Sequence, residues 1–266
     1  NIYIMNVSPL RYPGGKTRAC KIIDKVITDN IDITKFKNIK SPFFGGGSFE
    51  FYLQNKYNLN IIANDKFKPL YRFWISCKKN KEILCKNLHK NNTIEKDYFY
   101  VIREKILNEK IKLKQAEYYF IINRCSFSGS TLSGGFSQDA ANKRYTESSI
   151  NRINNLDLTN FSISNLDFED FLNKKHTRSL LFLDPPYYLE KKSKLYGKDG
   201  DMHYDFDHKR LFNNLQNKKN WIMTYNNCSY IKELYKDYKI IEASWKYGMN
   251  KSKESSELII INLINN

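Results

Sequence analysis

Three separated stretches of this chain alternate short apolar runs with segments of helical pattern, and this alternation limits its fold more than any other feature. The first stretch runs from Asn38 to about Phe73. It reads as a strand over Ile39–Phe44, a glycine turn, a helix starting near Ser48 as N-cap, and a strand over Leu59–Ala63 that ends in Asn64-Asp65. The second runs from Phe161 to Tyr187: a strand over Phe161–Ser164, a short helix after Asp167, and the apolar run Ser179–Leu183. In the third, from Asp207 onward, helices are expected over Lys209–Leu215 and Tyr230–Tyr238, and strands over Trp221–Thr224, Lys239–Trp245 and Glu257–Leu263. Strand–helix alternation of this kind predicts an α/β fold, a parallel sheet with helices on both faces.

Between the first two stretches lies an insert, about Ile75 to Asn160, with helical pattern over Glu82–Leu88, Tyr98–Leu107 and Ala116–Ile122. Its middle, Arg124 to Tyr145, is rich in Gly, Ser and Thr and carries Phe and basic residues, which predicts a long functional loop or hairpin. A second polar, glycine-containing loop is expected over Tyr188–Phe206. At 266 residues the chain can bury a full core, as one large α/β domain or a domain plus insert.

The formal net charge is +16, so a polyanion is the natural partner, and binding should weaken as salt rises. Part of that charge reflects a chain crowded with Lys, Asn and Ile. The five cysteines form no CxxC pair, which argues for free thiols in a reducing compartment and against a disulfide scaffold or a zinc site. His203 and His208 share neither a strand face nor a helix face, and no metal is expected. No apolar run approaches transmembrane length and no signal peptide opens the sequence, so a cytoplasmic protein with no membrane partner is expected.

Residues 184–187 read Asp-Pro-Pro-Tyr, directly after the apolar run. A carboxylate and a neighbouring carbonyl can accept both hydrogens of an exocyclic amine, as methylation of that amine would require. Two prolines remove competing backbone donors, and Tyr187 offers a flat face to a planar base. Read blandly, the same residues are a Pro-Pro turn closing a buried strand, with Asp184 as its cap. Ser41-Pro-Phe-Phe-Gly-Gly-Gly-Ser48 lies where the first strand becomes a helix; its glycines permit close backbone approach, and the helix N-terminus favours a carboxylate. It lacks the GxGxxG spacing. Asp65 follows about twenty residues later, where a doubly wound fold places an acid against ribose hydroxyls. A nucleoside ligand with an amino-acid tail fits that pair, and S-adenosylmethionine is such a ligand; an ordinary β–α turn with an acid at the next strand end is the alternative. Arg11-Tyr-Pro-Gly-Gly-Lys16-Thr17 resembles a phosphate loop only superficially, because position 10 is Leu and no clear strand precedes it. Lys16 is left as a cation for a carboxylate or a phosphate, with a solvent-exposed turn as the alternative.

With these motifs in this order, the chain resembles the class α (Dam-like) DNA N6-adenine methyltransferases over essentially its whole length. The resemblance rests on RYPGGK at 11–16, PFFGGGS at 42–48, Asp65 after a strand, and DPPY at 184–187. It implies a Rossmann-like cofactor-binding sheet, built from residues 1–74 and 161–266, with a mostly helical target-recognition insert over 75–160. It also implies roles. Tyr12, Lys16, Phe44, Gly45, Gly47, Asp65, Asp167 and Asp184 would bind S-adenosylmethionine, and Asp184, Pro185 and Tyr187 would be catalytic. Arg124, Ser126, Ser128, Lys143 and Arg144 fall in the region that contacts double-stranded DNA, joined by Lys191 and Lys192 of the second loop. Ser41 departs from the family, many of whose members carry Glu there. The activity implied is methyl transfer to the N6 of a flipped adenine, with room for a cognate restriction endonuclease as partner and no oligomeric state specified. Methylation of RNA or of a protein glutamine, and DNA binding by a degenerate module without activity, are the competing readings. A glutamine methylase would be expected to carry Asn-Pro-Pro-Tyr and no basic insert.

Overall fold

The computed structural model describes residues 5–12, 15–91, 93–189, 206–246 and 254–264, without the side chains of 245, 246, 254 and 255. Seven strands form one sheet in the order β3-β2-β1-β4-β5-β7-β6. They are β1 Asn38–Ser41, β2 Asn60–Asn64, β3 Phe161–Ser164, β4 Ser179–Leu183, β5 Trp221–Asn226, β6 Lys239–Lys246 and β7 Glu254–Asn262. The first five run parallel, and β7 lies antiparallel between β5 and β6.

Alternation along the strands gives the sheet two buried faces. Leu180, Phe182, Ile259 and Ile261 join one apolar cluster; Leu181, Leu183, Leu258 and Ile260 join the other. Sheets covered on both sides show such near-continuous apolar strands. Helix α1 (Cys20–Asn30) and helix α2 (Ser48–Tyr57) contribute Ile23, Ile27, Phe49 and Leu53 to the first cluster. The second cluster is closed by α9 (Phe168–Asn173), α10 (His208–Leu215) and α11 (Ser229–Leu234) through Phe168, Leu211 and Ile231.

The intervening segment is helical: α3 Lys68–Lys79, α4 Lys81–Lys90, α5 Lys96–Lys105, α6 Lys112–Cys125, α7 Gln138–Arg144 and α8 Glu147–Asn154. Helix α3 crosses position 75, and Phe73 and Trp74 share the first apolar cluster with Phe99, Phe120 and Ile150. The expected long loop after Arg124 is shorter than its composition predicts. Helix α6 runs on through Cys125, a single bridge joins Ser126 to Phe136, and α7 begins at Gln138 under the side-chain cap of Ser137. Strand β1 stops at Ser41, not Phe44, because Pro42 has no N–H to give the ladder. Ser48 is the first residue of α2 and not its cap; Gly47 takes that position in the left-handed region.

Strand order reverses between β1 and β4, the place where open α/β sheets bind ligands at their carboxyl ends. Both motif loops leave from that point. Among the described residues no helix is long and apolar enough to cross a membrane, and no cluster of His, Cys, Asp or Glu is arranged to hold a metal.

Candidate active site

Asp184 leaves the end of β4, one strand away from the glycine loop that follows β1. Its Oδ1 lies 2.9 Å from Lys16 Nζ and accepts the Thr224 hydroxyl of β5 at 2.8 Å. Its Oδ2 has no partner among the described residues. The carboxylate is therefore fixed by one oxygen and offers the other. Lys16 sits in a 3-10 turn ahead of α1 and is only 3% exposed. Its ammonium also donates to the Tyr187 hydroxyl at 3.0 Å, and that hydroxyl in turn donates to Glu257 Oε2 of β7 at 2.6 Å. Lys16 to Glu257 is 3.9 Å. Pro185 is buried, whereas Tyr187 is half-buried. The segment beyond is tied down by a reciprocal pair, Tyr188 N–H to Asn226 Oδ1 and Asn226 Nδ2 to the Tyr188 carbonyl, and by stacking of Tyr188 on Tyr230 at 4.3 Å.

The glycine loop is shaped by two rings. Gly45 and Gly47 have φ of +53° and +66°, a region L side chains rarely adopt. A Cβ on Gly45 would come within 2.9 Å of the Tyr12 ring, and one on Gly47 within 2.3 Å of the Phe44 ring. Tyr12 is partly exposed over the loop; Phe44 is buried against Phe51, Trp74 and Phe161. The loop is also pinned by Trp74 Nε1, which donates to the Gly45 carbonyl at 2.9 Å.

Asp65, after β2, clamps the same loop. Its two oxygens accept the backbone N–H groups of Gly45 and Phe67, each at 2.9 Å. Burial pushes its carboxyl up to about 6, against the pull of those two donors. Truncation should therefore cost stability. Asp65→Ala leaves two interior N–H groups unpaired, at about 1–3 kcal/mol each. Thermal unfolding should fall by several degrees, and less for Asp65→Asn. An unchanged midpoint in the Ala variant would show that those amides find other acceptors.

Asp167 caps α9 through the Glu169 N–H and pairs with Lys66 at 3.0 Å and with Arg210. Burial would raise its carboxyl, but these donors outweigh it and hold the group below the usual range. Beside it, the Phe43, Phe168 and Phe206 rings pack together with Arg210 over Phe168.

Position 41 is Ser, and a carboxylate from α2 reaches it. Glu50 of α2 is buried and accepts the Ser41 hydroxyl at 2.6 Å. Burial pushes its carboxyl up to about 8. Glu50, Thr224 and Glu257 were not singled out by sequence reasoning. Glu50 is a lone charge inside an apolar run, Phe49-Glu50-Phe51, and Glu257 opens one, Glu257-Leu258-Ile259; that anomaly was the available signal.

The residues expected to face DNA divide. Arg124 is buried, with Nε on the Arg144 carbonyl at 2.6 Å and Nη1 on the Pro9 carbonyl at 3.2 Å. Its neighbour Asn123 holds the Arg11 backbone from both sides, at 2.9 and 2.6 Å, so the end of α6 fixes the approach to Tyr12. Ser126 is buried, Ser128 is half-buried in the left-handed region, and Lys143 and Arg144 are exposed. Arg11, Arg124, Lys143, Arg144 and Arg152 line a cavity of about 310 Å³ at the start of α8. Burial and the three neighbouring arginines lower the Arg124 guanidinium to about 10. Lys191 and Lys192 lie outside the described residues.

The chain is 25% identical over 203 residues to the Type II methyltransferase M.MjaIII of Methanocaldococcus jannaschii, covering 69% of this chain and 70% of that protein. The family model of D12 class N6 adenine-specific DNA methyltransferases matches residues 12–249, from Tyr12 beside the glycine loop to beyond β6. The chain belongs to that family, and it is an adenine-specific DNA methyltransferase.

Proposed function

We propose that the methyl donor is S-adenosylmethionine and that Asp184, Pro185 and Tyr187 hold the target amine of an adenine flipped out of double-stranded DNA. The observation that carries this reading is the half-used carboxylate: Asp184 Oδ1 is held by Lys16 and Thr224, and Oδ2 is left to an incoming N–H donor. Hydrogen bonds from the amine to that oxygen and to the Pro185 carbonyl localise a nitrogen lone pair otherwise delocalised into the ring. Tyr187 supplies the stacking face, worth about 1–3 kcal/mol per base, which offsets part of the few kcal/mol that flipping costs.

The donor set suits the cofactor. The N-terminus of α2 would take its carboxylate, with the Gly45–Gly47 loop allowing close approach, Asp65 its ribose hydroxyls, and Asp167 with the Phe43 and Phe168 rings its adenine. Tyr12, Lys16, Phe44 and Asp184 complete the surroundings. When bound, the cofactor supplies a methyl group already activated on a sulfonium. The protein's contribution is therefore alignment and electrostatics.

We assign residues 1–74 and 161–266 to the catalytic part, and 75–160 to target recognition. Ser126, Ser128 and the 126–137 loop would read bases, and Lys143, Arg144 and Arg152 would meet phosphates around the basic cavity. Arg124 supports that surface from behind, while Lys191 and Lys192 would extend it. A cognate restriction endonuclease and a cytoplasmic setting complete the reading. Neutralising Arg144 and Arg152 together should weaken cognate and random duplexes alike and flatten the salt slope by about 1–2. A salt slope equal to wild type would remove them from the interface. The whole reading is tested by incubating the protein with plasmid DNA and S-adenosylmethionine, then sequencing for N6-methyladenine. Methylation at one short sequence is expected; unmodified plasmid would overturn it.

A further inference from the structure

Strand β7 brings a second carboxylate to the amine site. Glu257 is 1% exposed, although it opens the apolar run Leu258–Ile261. Its Oε2 holds the Tyr187 hydroxyl at 2.6 Å and faces Lys16 at 3.9 Å, and its Oε1 is buried with no hydrogen-bond partner among the described residues. A buried acid with one oxygen unsatisfied is costly, and packing alone gives no reason to keep it.

Lys16 thus stands between two acids, 2.9 Å from Asp184 and 3.9 Å from Glu257. If Glu257 were uncharged, Lys16 and Asp184 would cancel, and the oxygen meant for the amine would be a weak acceptor. If Glu257 is ionised, the three groups sum to one negative charge, beside the place where positive charge develops on the adenine nitrogen. We propose that Glu257 is a positioning residue for methyl transfer: ionised, it balances Lys16 and anchors the Tyr187 hydroxyl, so that Asp184 meets the amine with its negative charge intact. This rests on Asp184 and Tyr187 holding the amine.

Burial pushes the Glu257 carboxyl up to about 7; the Lys16 charge and the Tyr187 hydrogen bond pull it down, and Asp184 pushes it further up. The balance therefore shifts near neutrality. Along the sheet Glu257 pairs with Asn226 of β5 and Ala243 of β6, neither of which titrates. Tyr225 of β5 packs on the Tyr187 ring, and burial raises its hydroxyl well above the usual range. Glu50 of α2 acts on the same Lys16 and Asp184, and burial pushes it up to about 8. Among the described residues it is the competing source of a pH effect.

The test is the single-turnover rate of methyl transfer to DNA from about pH 6 to 9, with saturating S-adenosylmethionine. Wild type should lose rate as pH falls through about 7, because the carboxyl gains its proton there. Glu257→Gln should be slower by about 10-fold or more at pH 8 and should lack that acid limb, with cofactor and DNA affinities within about two-fold. Tyr187→Phe keeps the ring but removes a bond that favours the ionised acid, so its acid limb should move to higher pH. Glu50→Gln should keep the limb near 7. A wild-type rate and profile in Glu257→Gln, an unmoved limb in Tyr187→Phe, or a limb that vanishes with Glu50 would each overturn the proposal. If Glu257→Gln does not fold, the wild-type and Tyr187→Phe profiles still decide. An active Asp184→Ala would instead sink the amine site itself; an inactive one beside a normal Glu257→Gln would sink this proposal alone.

Discussion

Asp184→Ala is expected to lose about 10²–10³-fold in methyl transfer, because the role proposed for it is to aim the amine and to receive its developing charge. Cofactor affinity should stay within a few-fold, since Asp184 addresses the amine more than the cofactor. Stability should fall as well. Lys16 is 3% exposed and would lose its nearest counter-charge among the described residues; breaking a fully buried pair from one side costs about 3–5 kcal/mol, and the 24% exposure of Asp184 lowers that figure. Glu257, at 3.9 Å from the same ammonium, should hold the loss toward the low end of that range. Single-turnover assays on folded protein, with calorimetry of cofactor binding, separate the two effects. Turnover like wild type would remove Asp184 from the reaction.

The second large effect is expected at Gly47. Alanine there would place a Cβ 2.3 Å from the Phe44 ring at a φ of +66°. The backbone term costs about 1–2 kcal/mol. Forcing the ring aside costs about 1–3 kcal/mol more, because Phe44 is packed among Phe51, Trp74 and Phe161 and cannot move alone. The sum, about 2–5 kcal/mol, is a large part of the stability of an ordinary domain. It should lower the unfolding midpoint by about 5–15 °C and weaken cofactor binding, because the displaced loop is the one that would hold the amino-acid tail. A midpoint within a degree or two of wild type would show that the loop relaxes freely.

Much of this was legible in the sequence because the relevant residues carry their conformational demands with them. Apolar runs fixed by period, glycines at a strand-to-helix turn, and a Pro-Pro pair after a buried strand each restrict the backbone locally, so Asp65 and Asp184 could be placed at strand ends, and Asp167 at the start of a helix, before any contact was known. What could not be read depends on encounters across the chain. Helix α6 is buried through its last turns, from Tyr118 to Cys125, so it shows no polar face to mark its length. Helix α7 is polar almost throughout and reads as loop until Ser137 is seen to cap it. For Arg124 the sequence gives a charge but not the direction of its donors, which turn inward to the Pro9 and Arg144 carbonyls. Glu257 reads as one acid at the edge of a strand, because the lysine and tyrosine that give it meaning come from the other end of the chain and from the catalytic loop.

The antiparallel strand β7 sits between β5 and β6 although it follows both in the chain. On a ribosome, every other strand of the sheet emerges first, and β5 and β6 must wait with open ladders for a neighbour still to be synthesised. The same late segment delivers Glu257 to Lys16 and Tyr187. Assembly of the sheet and completion of the charge balance around the amine site are thus a single event, and a nascent or clipped chain that lacks it has neither.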